Sequence, residues 1–211
     1  MEAILAFAAA LVSLRLSADL LRRHRDRRAP ELAAWAVALA AYAVAAGALA
    51  WGTAAGWSDA VFRVYYLGGA LLTAAFLGVG SLLLVGRRQV APAAFVYGGL
   101  AVGIALAMPL RGGIAGTAIP DAQDVLDLWP ARVVAIAGNS LGTLAVVVVA
   151  LATFRARPVG NALILAGVGV AAIGSGLGGL GVGALAPAIA AAVILLYLGF
   201  VAPTNLSARR R

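Results

Sequence analysis

The sequence contains no cysteine, no lysine and a single histidine, His24. Each absence removes a class of chemistry. Without cysteine there is no disulfide, no thiolate nucleophile and no thiolate-ligated metal. Without lysine no retinal Schiff base can form, so a seven-helix reading cannot mean a rhodopsin. One histidine cannot hold a haem from both sides, and it leaves a zinc site of the usual His/Cys type without ligands. His24 stands in a run of arginines, so no Ser–His or Cys–His nucleophile pair can form inside the apolar segments. No apolar segment carries two carboxylates for aspartyl-type proteolysis or a carboxylate-held metal. The glycine-rich stretch Gly174–Gly183 has no lysine and no preceding strand, so it is no phosphate loop. The expectation is therefore no catalytic residue, no metal and no cofactor.

Charge is also scarce. Only 11% of the 211 residues are charged and 64% are apolar, against roughly 25% charged in soluble domains. The pattern is that of an integral membrane protein in which 1–211 form one transmembrane domain. A bilayer core about 30 Å thick takes about 20 helical residues. Seven spans fit, near 3–22, 31–52, 60–85, 91–110, 131–153, 158–176 and 185–203, with a longer loop at 111–130. The fold class is all-α, a polytopic seven-helix bundle. Pro158–Ala208 holds no charged residue and is too long for one helix. It must turn back where Gly174, Gly176, Gly178, Gly179, Gly181 and Gly183 precede Pro187.

All sixteen cationic side chains are arginines, and they alternate with the loops. Arg15, the Arg22–Arg28 cluster, Arg87, Arg88, Arg155, Arg157 and Arg209–Arg211 fall on one side, 13 in all; Arg63, Arg111 and Arg132 fall on the other. The positive-inside rule puts the first set in the cytoplasm, the N-terminus outside and the C-terminus inside. This arrangement predicts a multi-pass protein of a cytoplasmic membrane. The net charge of +8 belongs to loops that flank spans, so the partner it implies is anionic lipid and not nucleic acid. Trp51, Trp57 and Trp129 near the outer surface and Trp35 near the inner one match an aromatic belt. Ser58 and Asp59 suit the start of the third helix. Between 120 and 129 the acids Asp121, Asp124 and Asp127 and the apolar Val125, Leu128 and Trp129 take different faces. That segment is either a short helix on the outer membrane surface or a plain linker.

Few polar side chains remain along the spans, and they define the candidate sites. Arg15 and Asp19 share a face of the first helix. They form either a pair that snorkels to the interface or a gate or proton-coupled site. Arg63, with Tyr66 on the same side and Asp59 one turn back, is either an interfacial anchor held by Asp59 or a vestibule that binds an anionic headgroup or solute. Tyr42, Thr73, Asn139, Thr143 and Tyr197 lie near mid-bilayer. Asn139 and Thr143 share one face of the fifth helix, and Gly138 and Gly142 form a GxxxG on an adjacent one. The group either bonds helices together or lines a small cavity that receives a ligand.

Tyr65-Tyr66-Leu67-Gly68-Gly69-Ala70-Leu71-Leu72 onward to Leu84, and Leu198-Gly199-Phe200-Val201-Ala202-Pro203, resemble stretches of small uncharacterised seven-helix membrane proteins of bacteria with GC-rich genomes. They are similar, more faintly, to seven-helix membrane modules that precede bacterial signalling domains. The resemblance implies a sensor or partner-binding role and carries no catalytic or ligand residue with it. The leading expectation is a non-enzymatic module that senses an apolar ligand or serves a partner protein, another membrane complex or a second copy of itself. The alternative is a small-solute or ion transporter or channel that uses the mid-membrane polar residues.

Overall fold

In the computed structural model, residues 2–179 and 185–202 are described, with side chains excepted at 172, 174–179, 185–187 and 189. The described chain is all-α. Helix α1 is Glu2–Arg27, α2 Pro30–Ala55, α3 Asp59–Leu84, α4 Val90–Ala107, the one-turn α5 Ala122–Val125, α6 Leu128–Ala152, α7 Pro158–Gly179 and α8 Leu185–Val201. Five of these, α1, α2, α3, α4 and α6, are long and apolar enough to cross a membrane, and Pro158–Ala171 and Ala190–Val201 are shorter apolar helical stretches.

The helix ends follow local chemistry. α1 runs about five residues beyond the expected span, through the arginine cluster. Arginine is a good helix former, and cations at a C-terminus meet the negative end of the helix dipole. The helix stops at Arg28, whose φ is +50°, and Pro30 opens α2 at its first turn. His24 sits at this corner, its Nδ1 2.7 Å from the Ala29 carbonyl oxygen. Ser58 caps α3 by accepting from the Val61 amide at 3.4 Å, as its position predicted. α7 continues past residue 176 to Gly179, so the glycines at 174–179 lie within a helix. The expected turn at Gly181 and Gly183 falls outside the described residues, as do Arg209–Arg211.

The packing departs from the usual soluble pattern by leaving many large apolar side chains exposed. Large apolar side chains point outward, with Phe95 83% exposed and Leu141 and Leu144 also exposed. Alanine, glycine and serine point inward. The buried face of α1 is Ala6, Ala9, Ala10, Ser13, Ser17 and Leu20. Small residues let backbones approach where lipid offers no hydrophobic contrast. α2 is the most enclosed span and is lined by buried alanines. A Cβ on Gly68 would stand 2.3 Å from the Ala41 carbonyl oxygen, and one on Gly78 would stand 2.6 Å from the Gly142 Cα. Those two contacts fix the α2–α3 and α3–α6 crossings.

Neighbour by neighbour, α1, α2, α3, α6, α7 and α8 close into a ring, and α4 packs from outside on α3. The ring is filled at the end that carries the α1–α2 turn, hereafter the basic end. Leu20, Trp35, Leu39, Leu77, Val146, Ile164, Val193, Leu196 and Phe200 meet there, drawn from all six ring helices. At the opposite end a second cluster gathers Leu49, Trp57, Phe62, Tyr66, Leu71, Ile104, Met108 and Leu126.

The tryptophan belt is corrected by this packing. Trp51 and Trp129 are 64% and 71% exposed, but Trp35 and Trp57 are buried at 1% and 4%. Each buried indole lies against a glycine, Gly80 for Trp35 and Gly52 for Trp57. Trp35 also stacks on Phe200 at 4.0 Å between ring centroids. The 111–130 loop is corrected too. It is a lid held to the bundle, and its helix is a single turn. The Trp57 amide donates to the Gly116 carbonyl at 2.7 Å and the Arg111 amide to the Val125 carbonyl at 2.9 Å. Arg111 pairs with Asp127. Leu126, not Leu128 or Trp129, is the side chain driven into the core.

Candidate functional site

Of the polar residues expected near mid-bilayer, Thr73 and Asn139 meet at one defect in α3. Between Leu67 and Thr73 the helix widens to π geometry. Its hydrogen bonds then run five residues back instead of four, which frees carbonyls for other partners. Thr73 Oγ1 donates to the Gly68 carbonyl at 2.7 Å. Asn139 Nδ2 reaches across from α6 to the Ala70 carbonyl at 2.7 Å and to Ala135 in its own helix at 2.9 Å. The third donor is Tyr97 of α4, whose hydroxyl gives 2.6 Å to the Leu71 carbonyl. Gly138 leaves the room for that phenol, because a Cβ there would lie 2.2 Å from its oxygen. Tyr97 was not singled out in the sequence, although an isolated phenol inside the apolar run Val90–Ala107 was the available signal.

Thr143 does not join this group. It is exposed on the outer face of α6, and the helix turns it away from α3. Gly138 and Gly142 likewise serve different neighbours, Tyr97 and the α3 backbone at Ala74. Tyr42 is part-buried and packs on the basic-end cluster. Tyr66 is buried and lies 5.8 Å from Phe62 between ring centroids.

Arg63 does not pair with Asp59. Its Nη1 donates to the Ala105 and Leu106 carbonyls at 2.8 and 3.0 Å, the last turn of α4. Asp59 instead accepts from the Ile114 amide of the lid at 3.3 Å. The cation thus caps a helix C-terminus, where carbonyls lack intrahelical donors and the dipole is negative.

A second arginine does the same at the basic end. Arg157, only 6% exposed, donates from Nη2 to Gly199, Phe200 and Ala202 at 3.1, 3.1 and 3.0 Å, the end of α8. Burial pushes its guanidinium below the ordinary arginine value, and the Glu31 carboxylate opposes that shift. Buried Asn161 beside it donates to Thr153 Oγ1 at 2.9 Å. The sequence alone placed Arg157 among the loop cations, since nothing local marks which helix end it meets.

Arg15 and Asp19 do not form the expected pair. Asp19 accepts from Arg23 Nε at 2.8 Å and from the Tyr197 hydroxyl of α8. Tyr197 therefore belongs to the basic end and not to the mid-bilayer group. Arg15 is exposed. Between α1 and α8 lies a cavity of about 120 Å³, lined by Leu5, Ala8, Ala9, Val12, Ser13, Ala190 and Ile194. Its lining is apolar apart from Ser13, whose buried hydroxyl has no hydrogen-bond partner among the described residues. Among those residues no three His, Asp or Glu side chains gather as a metal would require. Compared with known proteins, the chain matches no family model, no curated protein and no solved structure.

Proposed function

We propose that this chain is a non-enzymatic integral membrane module that binds an apolar ligand taken from the bilayer. It has seven spans, its N-terminus outside and its C-terminus in the cytoplasm of a bacterium. The α1/α8 groove carries this reading. It is apolar, and its rim residues Leu5, Val12 and Ile194 are exposed where lipid would lie. Its volume approaches that of cavities of about 150 Å³ that hold benzene, which suits a slender hydrocarbon segment better than a bulky solute.

The seven-span orientation draws on the 13-to-3 division of arginines. It also draws on the contacts of Phe200 with Trp35 and of Tyr197 with Asp19, which bring the end of α8 beside the α1–α2 turn. An odd number of spans puts those two chain segments on one side. The transport alternative needs polar groups free to line a path. Thr73 and Asn139 are bonded to carbonyls, and Asp19 is engaged by Arg23 and Tyr197, which weighs against it.

The test is photolabelling in lipid nanodiscs with a fatty acid that carries a diazirine in its chain. Label is expected in peptides covering 5–13 and 190–194, and Ala8→Phe, which fills the groove from its exposed rim, should reduce it several-fold. Label spread evenly over the outward faces of α4 and α6, or unchanged by Ala8→Phe, would refute the reading.

A further inference from the structure

Two arginines that make no salt bridge among the described residues share a strip of α1 with the rim of the groove. Ala8, Arg15 and Arg22 recur every seven residues on α1, close to two full turns, so they fall on one strip of the helix. Ala8 lines the groove. Arg15 and Arg22 are exposed and stand about 10 Å apart along the axis. The sequence has eight carboxylate side chains, Glu2, Asp19, Asp26, Glu31, Asp59, Asp121, Asp124 and Asp127, and all belong to described residues. Among the described residues the ion pairs are Asp19 with Arg23 and Asp127 with Arg111. Asp19, the one acid between Arg15 and Arg22 on this helix, is thus already engaged by Arg23 and by Tyr197.

An arginine exposed along an apolar helix is costly against hydrocarbon and favourable against phosphate. A second copy of the chain docked symmetrically on this strip would bring Arg15 toward Arg15, which disfavours self-association as the cover. We infer that the strip and the groove form one site for an anionic glycerophospholipid. The phosphate lies between Arg15 and Arg22, and one acyl chain runs from there along Val12 and Ala8 into the groove. The inference rests on the apolar-ligand reading above and names its ligand class.

The experiment uses the full chain purified in mild detergent with defined lipid, and native mass spectrometry to count lipids retained after a detergent wash. Phosphatidylglycerol and phosphatidylcholine with identical acyl chains are the probes. Wild type should retain phosphatidylglycerol about tenfold or more over phosphatidylcholine. The double variant R15Q/R22Q should bring that ratio near one without lowering phosphatidylcholine retention, and R15K/R22K should restore most of it. A8F should lower retention of both lipids. R87Q/R88Q, which removes exposed cations from another turn at the basic end, should leave the ratio unchanged. Unaltered helicity and elution of each variant exclude misfolding. A wild-type ratio near one overturns the inference, as does a loss in R87Q/R88Q equal to that in R15Q/R22Q, which would mean diffuse attraction to a basic surface. In either case photolabelling of the groove by the diazirine fatty acid would still uphold the apolar-ligand reading.

Discussion

At the residue scale, the polar side chains of this protein are spent mainly on backbone carbonyls. Arg63 and Arg157 each serve the C-terminal turn of a different helix. In hydrocarbon an unsatisfied carbonyl costs several kcal/mol, so a long cation that reaches a helix end relieves a defect the helix cannot relieve itself. Arg157→Met keeps the apolar stem and removes the donors. It should destabilise by roughly 1–3 kcal/mol, the cost of leaving buried acceptors unmet, seen as a lowered Tm in detergent. Arg157→Lys should fall between the two, because one ammonium cannot match the spread of the fork. Asn139→Leu should cost only about 0.6–1 kcal/mol, since interhelical bonds in membranes are individually weak, and a proteoliposome flux assay should show no dependence on it.

At the scale of the element, the widened segment Leu67–Thr73 explains why three helices supply donors to one stretch of α3. Tyr97 from α4 and Asn139 from α6 bond adjacent carbonyls, Leu71 and Ala70. The two should couple. In a double-mutant cycle, Tyr97→Phe with Asn139→Leu should depart from additivity by about 0.5 kcal/mol or more, measured by unfolding in mixed micelles. Near the same segment the α3–α6 crossing depends on Gly78 and Gly142. Gly78→Val forces the backbones apart and should cost about 1–3 kcal/mol with a broadened thermal transition. Asn139 and Thr73 were legible in the sequence as polar groups in otherwise apolar helices. Their acceptors were not, because a π widening leaves no periodicity to read in a helix that is apolar on every side. Thr143, one turn from Asn139, shows the limit of spacing arguments. A rotation of about 40° between i and i+4 is enough to carry a side chain from a helix contact to the exposed face.

At the scale of the whole molecule, the ring of six helices with α4 outside makes the α1/α8 contact the seam where the first and last described helices meet. The proposed orientation predicts that reporters fused at Gly56 and Gly113 read external and one at Arg211 reads cytoplasmic. An external reading at Arg211 would remove the seven-span arrangement. The absence of native cysteine makes a second check direct. Trp35→Cys with Phe200→Cys, at positions whose side chains meet ring to ring, should be bridged by a short membrane-permeant bifunctional thiol reagent that spans the space the two rings fill, and the bridge should be absent when either change is made alone. That seam was not visible in the sequence, since Asp19 and Tyr197 are separated by 178 residues.

The sequence by itself determined the all-α class, and most of the described helix ends fall near those expected, with α1 running about five residues further. It also set the cap at Ser58 and the scarcity of reactive side chains. These follow from local quantities: hydropathy over a span, the chemistry of a helix end, and which residue types are present at all. Only the tertiary structure decided that Trp35 and Trp57 are buried, that Arg63 serves α4 instead of Asp59, that Asp19 turns to Tyr197, and that a groove opens between α1 and α8. The physical reason is common to all four. In a chain this apolar, an outward face and a face toward another helix are equally hydrophobic. Partner choice therefore rests on shape, on where glycine and alanine leave room, and on which carbonyl lacks a donor, and none of these is a property of the sequence read in one dimension.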